Sequence, residues 1–312
     1  MDYSKNKKAI IVLLGPTAVG KTELSLELAD KLPGEIISAD SMQVYKNMDI
    51  GTAKVKNKIR EKIPHYLIDI ISPEEEFSVA EYQERVDQII PQIIDNNSFP
   101  MLVGGTGMYI NAVIEGFMLP EIEPDQELRN QLKNEAEDKG RKYVHNKLAD
   151  IDPELANKLH PNDLRRVIRG IEIYKQTGHT KTYYKNRQKE RPPRYKSLKF
   201  GLYRERDELY NIINRRVDNM IKKGLVDEVE MLYNNFNLSK TACQALGYKE
   251  IIGYIEGKYD KKEAIRQIKK NTRNFAKRQL SYFKRDDDIR WFNLTKMNYR
   301  VVEEKIVKII KG

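Results

Sequence analysis

The chain has 312 residues, 40% hydrophobic and 33% charged, with 56 Lys plus Arg against 46 Asp plus Glu, a net charge of +10. That length and balance fit one large or two ordinary globular domains and exclude collagen-like, low-complexity and bulk-disordered classes. The single cysteine, Cys243, excludes an intrachain disulfide and a cysteine-rich metal site, so a cytoplasmic protein is expected; no apolar run suggests a membrane partner.

The first predicted element is a buried strand, Ala9 to Leu14, because AIIVLL is too short for a span and lacks a small-residue cleavage pattern. It runs directly into GPTAVGKT, that is Gly15, Pro16, Thr17, Ala18, Val19, Gly20, Lys21 and Thr22, which fits G-x-x-x-x-G-K-[ST]. A helix follows, with Leu24, Leu28 and Leu32 on one face. The two glycines let successive N–H groups turn inward, the helix start adds orphan donors, Lys21 brings a point charge, and Thr22 is the natural Mg²⁺ ligand. The pattern is that of nucleotide- and ATP-binding loops. It names a diphosphate or triphosphate, but leaves open whether a nucleotide carries it and whether phosphate is what is transferred.

A second strand, Glu35 to Ser38, ends in Asp40, Ser41 and Gln43 of ISADSMQVYKNMDIGTAK. Polar groups at the carboxyl ends of parallel strands face the same crevice as the phosphate loop. Asp40 could coordinate Mg²⁺, accept a proton or cap the next element. Further along come a strand at Tyr66 to Ile70, a helix from Val79 to Asn96 and a strand at Pro100 to Val103. The last of these ends in LVGGTGMYI, where glycines let a ligand approach Thr106 and its backbone donors. His65, His145, His160 and His179 lack metal spacing.

Near residue 116 the character changes. GFMLPEIEPD is a proline-marked connection, and 126–178 reads as three helices, around Leu128 to Gly140, Pro153 to Leu159 and PNDLRRVIRGIEIYKQTG. LKFGLY is strand-like again, so the helical stretch reads as an insertion into the first domain. The remainder is predicted helical at Glu208 to Lys222, Val226 to Asn234, Tyr248 to Glu256, Lys261 to Lys284 and Val301 to Lys311, with a late strand in DDIRWF. The Lys261 to Lys284 helix is expected to bury Ile265, Ile268, Thr272, Ala276, Leu280 and Phe283, leaving Arg266, Lys270, Arg273, Lys277 and Arg278 off that stripe. The charge is local. Lys181 to Lys199 has eight basic residues and one acidic, and Lys258 to Arg285 eleven basic and two acidic, both with aromatics interleaved. Such segments fit a polyanion with unpaired bases.

GPTAVGKT, ADSMQVY, LVGGTGMYI, HPNDLRRVIRGIEIYKQTG, ALGYKE and TRNFAKRQLSYFK, in this order over nearly the whole chain, resemble the tRNA dimethylallyltransferases, also called tRNA isopentenyltransferases. The resemblance implies a Mg²⁺-dependent prenyltransferase that moves the dimethylallyl group of dimethylallyl diphosphate to N6 of adenosine 37, directly 3′ of the anticodon. The phosphate loop then holds the diphosphate of the prenyl donor. By the same resemblance Asp40 is the general base, Thr106 lies beside the reacting adenosine, and Arg206 and Arg216 approach the diphosphate. The implied tRNA contacts are Asp40, Ser41, Met42, Gln43, Thr106 and Arg129; Arg165, Arg166, Val167, Ile168 and Arg169; Gln244, Ala245, Leu246, Gly247, Tyr248 and Lys249; and Lys277, Arg278, Gln279, Leu280, Ser281, Tyr282, Phe283 and Lys284.

The fold expected is α/β, a P-loop parallel-sheet core with an inserted all-helical domain: 1–120 the first part of the core, 121–190 the inserted tRNA-binding domain, 191–312 the return with basic C-terminal helices. The partners are a tRNA anticodon stem-loop and dimethylallyl diphosphate, and the chain is expected to be a monomer. A P-loop nucleotide or small-molecule kinase is the alternative, since a phosphate loop, an aspartate after a strand and a helical lid describe that class too.

Overall fold

The computed structural model describes residues 9–118, 120 and 122–311. Six strands form one fully parallel sheet: β1 (Ile10–Leu14), β2 (Gly34–Ala39), β3 (His65–Tyr66), β4 (Phe99–Gly104), β5 (Ser197–Tyr203) and β6 (Arg290–Asn293), in the spatial order β3-β2-β4-β1-β5-β6. β1 lies inside the sheet and is buried along its whole length, as an uninterrupted apolar run predicts for a strand covered on both faces. Its residues alternate between two cores. Ile10, Val12 and Leu14 pack with Ile37, Leu102 and Val86 on one face, and Ile11 and Leu13 with Leu24, Met101 and Phe200 on the other. Each such side chain contributes about 1.5–3 kcal/mol on burial.

The described residues form two compact units, one up to residue 114 and again from residue 194, the other between them. The second has its own small core, built from residues such as Leu132, Val144, Leu148, Val167 and Ile171. In the connection GFMLPEIEPD, Leu119 and Glu121 lie outside the described residues.

Several elements differ from expectation for local reasons. β3 stops at Tyr66 instead of continuing to Ile70, because Leu67 and Asp69 adopt positive φ of 62° and 59°. Asp69 is held there by Lys54 and Arg60 at 2.5 and 2.6 Å. The helix Arg141–Ile151 was not predicted: its N-cap is Gly140, at φ 86°, with no capping side chain to announce it. Nor was Lys181–Lys189, which buries no residue and so has no apolar period, although Thr180 caps it by accepting the Tyr183 N–H. The short helices Asn57–Arg60 and Lys240–Cys243 were missed as well. Helix Val79–Asp95 begins as its sequence suggests, with a reciprocal Ser78–Glu81 capping box.

Candidate active site

The carboxyl ends of the strands bring the site together. β1 delivers the phosphate loop, β2 delivers Asp40, β4 delivers Gly105 and Thr106, and β5 delivers Arg204. The loop needs its glycines. Gly15 has φ 149°, and a Cβ there would lie 2.5 Å from the Leu202 carbonyl oxygen; Gly20 has φ 112° and faces the Tyr299 hydroxyl where a Cβ would project. Ala18 also sits at positive φ, 63°. Lys21 folds back over the loop, its Nζ donating to the Gly15 and Pro16 carbonyls at 3.0 and 2.8 Å. Burial pushes its pKa down to about 8, against the opposing pull of Asp40 and with further lowering from Arg216. Burial likewise lowers Arg216, which Asp40 and Glu23 partly offset.

Asp40 does serve as a local cap: its Oδ1 accepts the Met42 N–H at 2.9 Å. Thr106 ties the second and fourth strand ends together, its Oγ1 accepting the Ser41 N–H at 3.1 Å and its own N–H donating to the Ala39 carbonyl at 3.0 Å. The Gln43 amide is engaged inward, accepting from the Ser38 hydroxyl at 2.9 Å and donating to the Thr52 carbonyl at 3.2 Å.

Two cavities meet here. One, of about 410 Å³, is lined by Thr17, Ala18, Gly20, Lys21, Thr22, Gln43, Arg204 and Arg216, with an apolar wall of Ile36, Val55, Ile68, Val103 and Ile212. The other, of about 280 Å³, is lined by Ser41, Met42, Thr106, Gln244, Ala245, Leu246, Gly247, Lys249 and Arg278. Thr17, Asp40, Thr52 and Arg216 line both.

Not every residue expected at the site reaches it. Arg206 is exposed, stacks over Tyr210 at 5.2 Å and lines neither cavity; Arg204, two residues earlier, takes the place beside the loop, donating to the Val19 carbonyl at 3.1 Å and pairing with Glu208. Four residues expected to meet tRNA turn their side chains to a core instead. Val167 and Ile168 pack in the smaller unit, and Phe283 under the sheet, while Tyr248 is 1% exposed with its hydroxyl donating to Glu228 at 2.6 Å. Gln279 is buried where Leu280, only half-buried, was expected to be, because its amide is taken up by backbone groups of two loops. Arg129 grips the buried Glu172 through two hydrogen bonds of 2.8 and 2.9 Å, and Arg169 joins at 2.6 Å. Arg165, Arg166, Gln244, Lys277, Arg278, Ser281, Tyr282 and Lys284 are exposed.

Two residues escaped sequence reasoning. Arg204 directly follows β5, so the strand-end argument used for Asp40 would have found it. Glu228 had no signal: its carboxylate accepts the N–H groups of Asp49, Ile50 and Gly51 at 3.1, 2.7 and 3.2 Å, pinning the loop that carries Thr52.

The family model described as IPP transferase matches residues 43–286. A tRNA dimethylallyltransferase of Halothermothrix orenii is 61% identical over 305 residues, covering 97% of this chain and 93% of that protein. The chain belongs to the tRNA dimethylallyltransferase family. Among solved structures, the full-length tRNA isopentenylpyrophosphate transferase of Bacillus halodurans is 42% identical, with a TM-score of 0.73 and coverage of 97% of this chain and 95% of that one. A eukaryotic dimethylallyltransferase acting on tRNA is 29% identical, with a TM-score of 0.79 over 97% of this chain and 78% of its own. The parallel sheet and its helices are thus the tRNA dimethylallyltransferase fold, with the phosphate loop and Asp40 of this chain ahead of the stretch that the family model matches.

Proposed function

We propose that the chain transfers the dimethylallyl group of dimethylallyl diphosphate to N6 of adenosine 37 of a tRNA, releasing diphosphate. The observation that carries this reading is the pair of cavities joined at Asp40 and Arg216, one built around the phosphate loop and the other lined by residues from the RNA-contact segments. A kinase would need the phosphate loop beside its acceptor. A prenyltransferase needs room for an apolar prenyl chain beside it, and the larger cavity has Ile36, Val55, Ile68, Val103 and Ile212 in its lining.

An exocyclic amine conjugated to a purine is a poor nucleophile, whereas an allylic diphosphate ionises readily because the cation is delocalised. The bond between the allylic carbon and oxygen breaks with its electron pair leaving on the diphosphate; N6 forms the new bond to carbon and gives up a proton to the Asp40 carboxylate. Lys21, Arg216 and the loop amides hold the diphosphate where that charge grows, each contributing up to a few kcal/mol. The adenosine must leave its stack to enter the smaller cavity, at a cost that a single-stranded loop keeps low.

The residues present fit Mg²⁺ as an ion that arrives with the diphosphate: Thr22 is the hydroxyl at the loop, and among the described residues no group of three or more His, Cys, Asp or Glu is placed to hold a metal. When bound, it would neutralise charge on the leaving group. Among the described residues no helix is long and apolar enough to cross a membrane. We take the chain to act as a monomer in the cytoplasm, with the exposed Arg165, Arg166, Lys277, Arg278 and Lys284 meeting the anticodon stem-loop. The test is to incubate the purified chain with unmodified tRNA, Mg²⁺ and labelled dimethylallyl diphosphate, and separately with labelled ATP. Prenyl label should become acid-insoluble; acid-soluble phosphate transfer from ATP to a small acceptor, with no prenyl label in RNA, would favour the kinase.

A further inference from the structure

Helix Lys261–Phe283 carries a buried polar residue within its apolar stripe. Gln279 is 7% exposed, one turn after Ala276 and one before Phe283, both buried. Packing alone has no need of an amide there, and a buried amide must find partners. Gln279 finds two, and both are backbone groups of loops at the candidate site. Its Oε1 accepts the Thr17 N–H at 2.9 Å, and its Nε2 donates to the Gly105 carbonyl at 2.9 Å. Thr17 lines both cavities, and Gly105 precedes Thr106, which in turn holds Ser41 beside Asp40. The fit is close from the other side too: a Cβ on Gly105 would run into the Gln279 Nε2.

We propose that Gln279 is a positioning residue for the diphosphate, clamping Thr17 to Gly105 and so setting the phosphate loop against the loop that carries Thr106. Lys277 and Arg278 on the same helix are exposed, whereas the amide points the other way, so the two faces of one turn serve different ligands. This inference rests on reading the phosphate loop as the donor site.

The experiment measures, by titration calorimetry, binding of dimethylallyl diphosphate with Mg²⁺ to wild type, Gln279→Met, Gly105→Ala and the double variant, with tRNA affinity by filter binding and the melting temperature alongside. Methionine keeps the volume and removes both hydrogen bonds; alanine at 105 displaces the amide and leaves the sequence of the helix unchanged. Each single variant should bind the donor about tenfold more weakly, the scale of a lost hydrogen bond to a working loop, with KM for the donor raised and tRNA affinity unchanged. The double variant should lose little more than either single one, because both break the same clamp. If wild type itself fails to bind the donor, the phosphate-loop reading falls and the inference with it. If wild type binds and Gln279→Met binds equally well, the inference alone falls. Weakened tRNA binding with intact donor binding would make Gln279 an RNA contact, and joint loss of both with a lowered melting temperature would leave it only a packing role; either result overturns the proposal.

Discussion

Asp40 accepts the Met42 N–H, so alanine there would remove a turn cap together with the carboxylate. Asparagine separates the two, since its side-chain oxygen can still accept that hydrogen bond while it cannot take a proton. Asp40→Asn should lower kcat about 100-fold or more, the scale of general-base loss, with tRNA affinity within severalfold of wild type. Single-turnover kinetics with filter binding decide it, and near-normal turnover would leave Asp40 only its cap. Lys21 makes a second residue-scale prediction. With its pKa lowered to about 8 by burial, the unliganded enzyme loses this charge as pH rises through that value. An organic diphosphate, whose last pKa is about 6, is fully ionised over the same range. Donor affinity should therefore fall between pH 7 and 9 in wild type, and Lys21→Ala should bind weakly with no step near pH 8; a wild-type affinity flat across that range would sink the assignment. The phosphate loop and Asp40 were legible because each follows a strand in the sequence. Glu228 was not, because the three N–H groups it accepts lie about 180 residues away, a juxtaposition that no local pattern carries.

Helix Lys261–Phe283 separates its faces much as its 3.6-residue period suggests, with Ile268, Ala276 and Phe283 buried and Lys277 and Arg278 exposed. Changing Lys277 and Arg278 together to alanine should weaken tRNA binding and flatten its salt dependence by up to about two logarithmic units per decade, if both meet phosphates. The loss should be similar for substrate and non-substrate tRNAs, because phosphate contacts position RNA while base contacts select it. Affinities across a salt series, with circular dichroism as the folding control, check this; an unchanged slope would mean that the charges are only solvated. Element boundaries followed the sequence at Val79–Asp95 and Lys261–Phe283, which have both an apolar stripe and a capping side chain. They failed at Arg141–Ile151 and Lys181–Lys189, which lack the one or the other, and at β3, where two left-handed residues end a run that otherwise looks extended.

Each of the two units has its own core, so each is expected to unfold as its own cooperative block. In the smaller one the side chain of Glu172 is fully buried between Arg129 and Arg169, and also accepts the Asp125 N–H at 2.9 Å. Glu172→Ala strands two arginines and should cost that unit about 3 kcal/mol, the low end for breaking a buried pair. Trp291, the single tryptophan, lies on β6 of the larger unit. In the variant, far-ultraviolet circular dichroism should therefore begin to fall at lower urea than tryptophan fluorescence does; coincident, unshifted transitions would show the triad to be energetically idle.

The sequence by itself determined the strand-loop-helix of the candidate site, the alternation of sheet and helix, and the polarity of the basic helices, because each is written in neighbouring residues within one or two turns. Tertiary structure alone decided which of those residues act together. It replaced Arg206 by Arg204 at the loop, turned Tyr248 and Gln279 inward, spent Arg129 on Glu172, and joined two cavities at Asp40 and Arg216. A side chain's direction within a helix turn depends on what packs against it, and those partners come from segments as far as 262 residues apart.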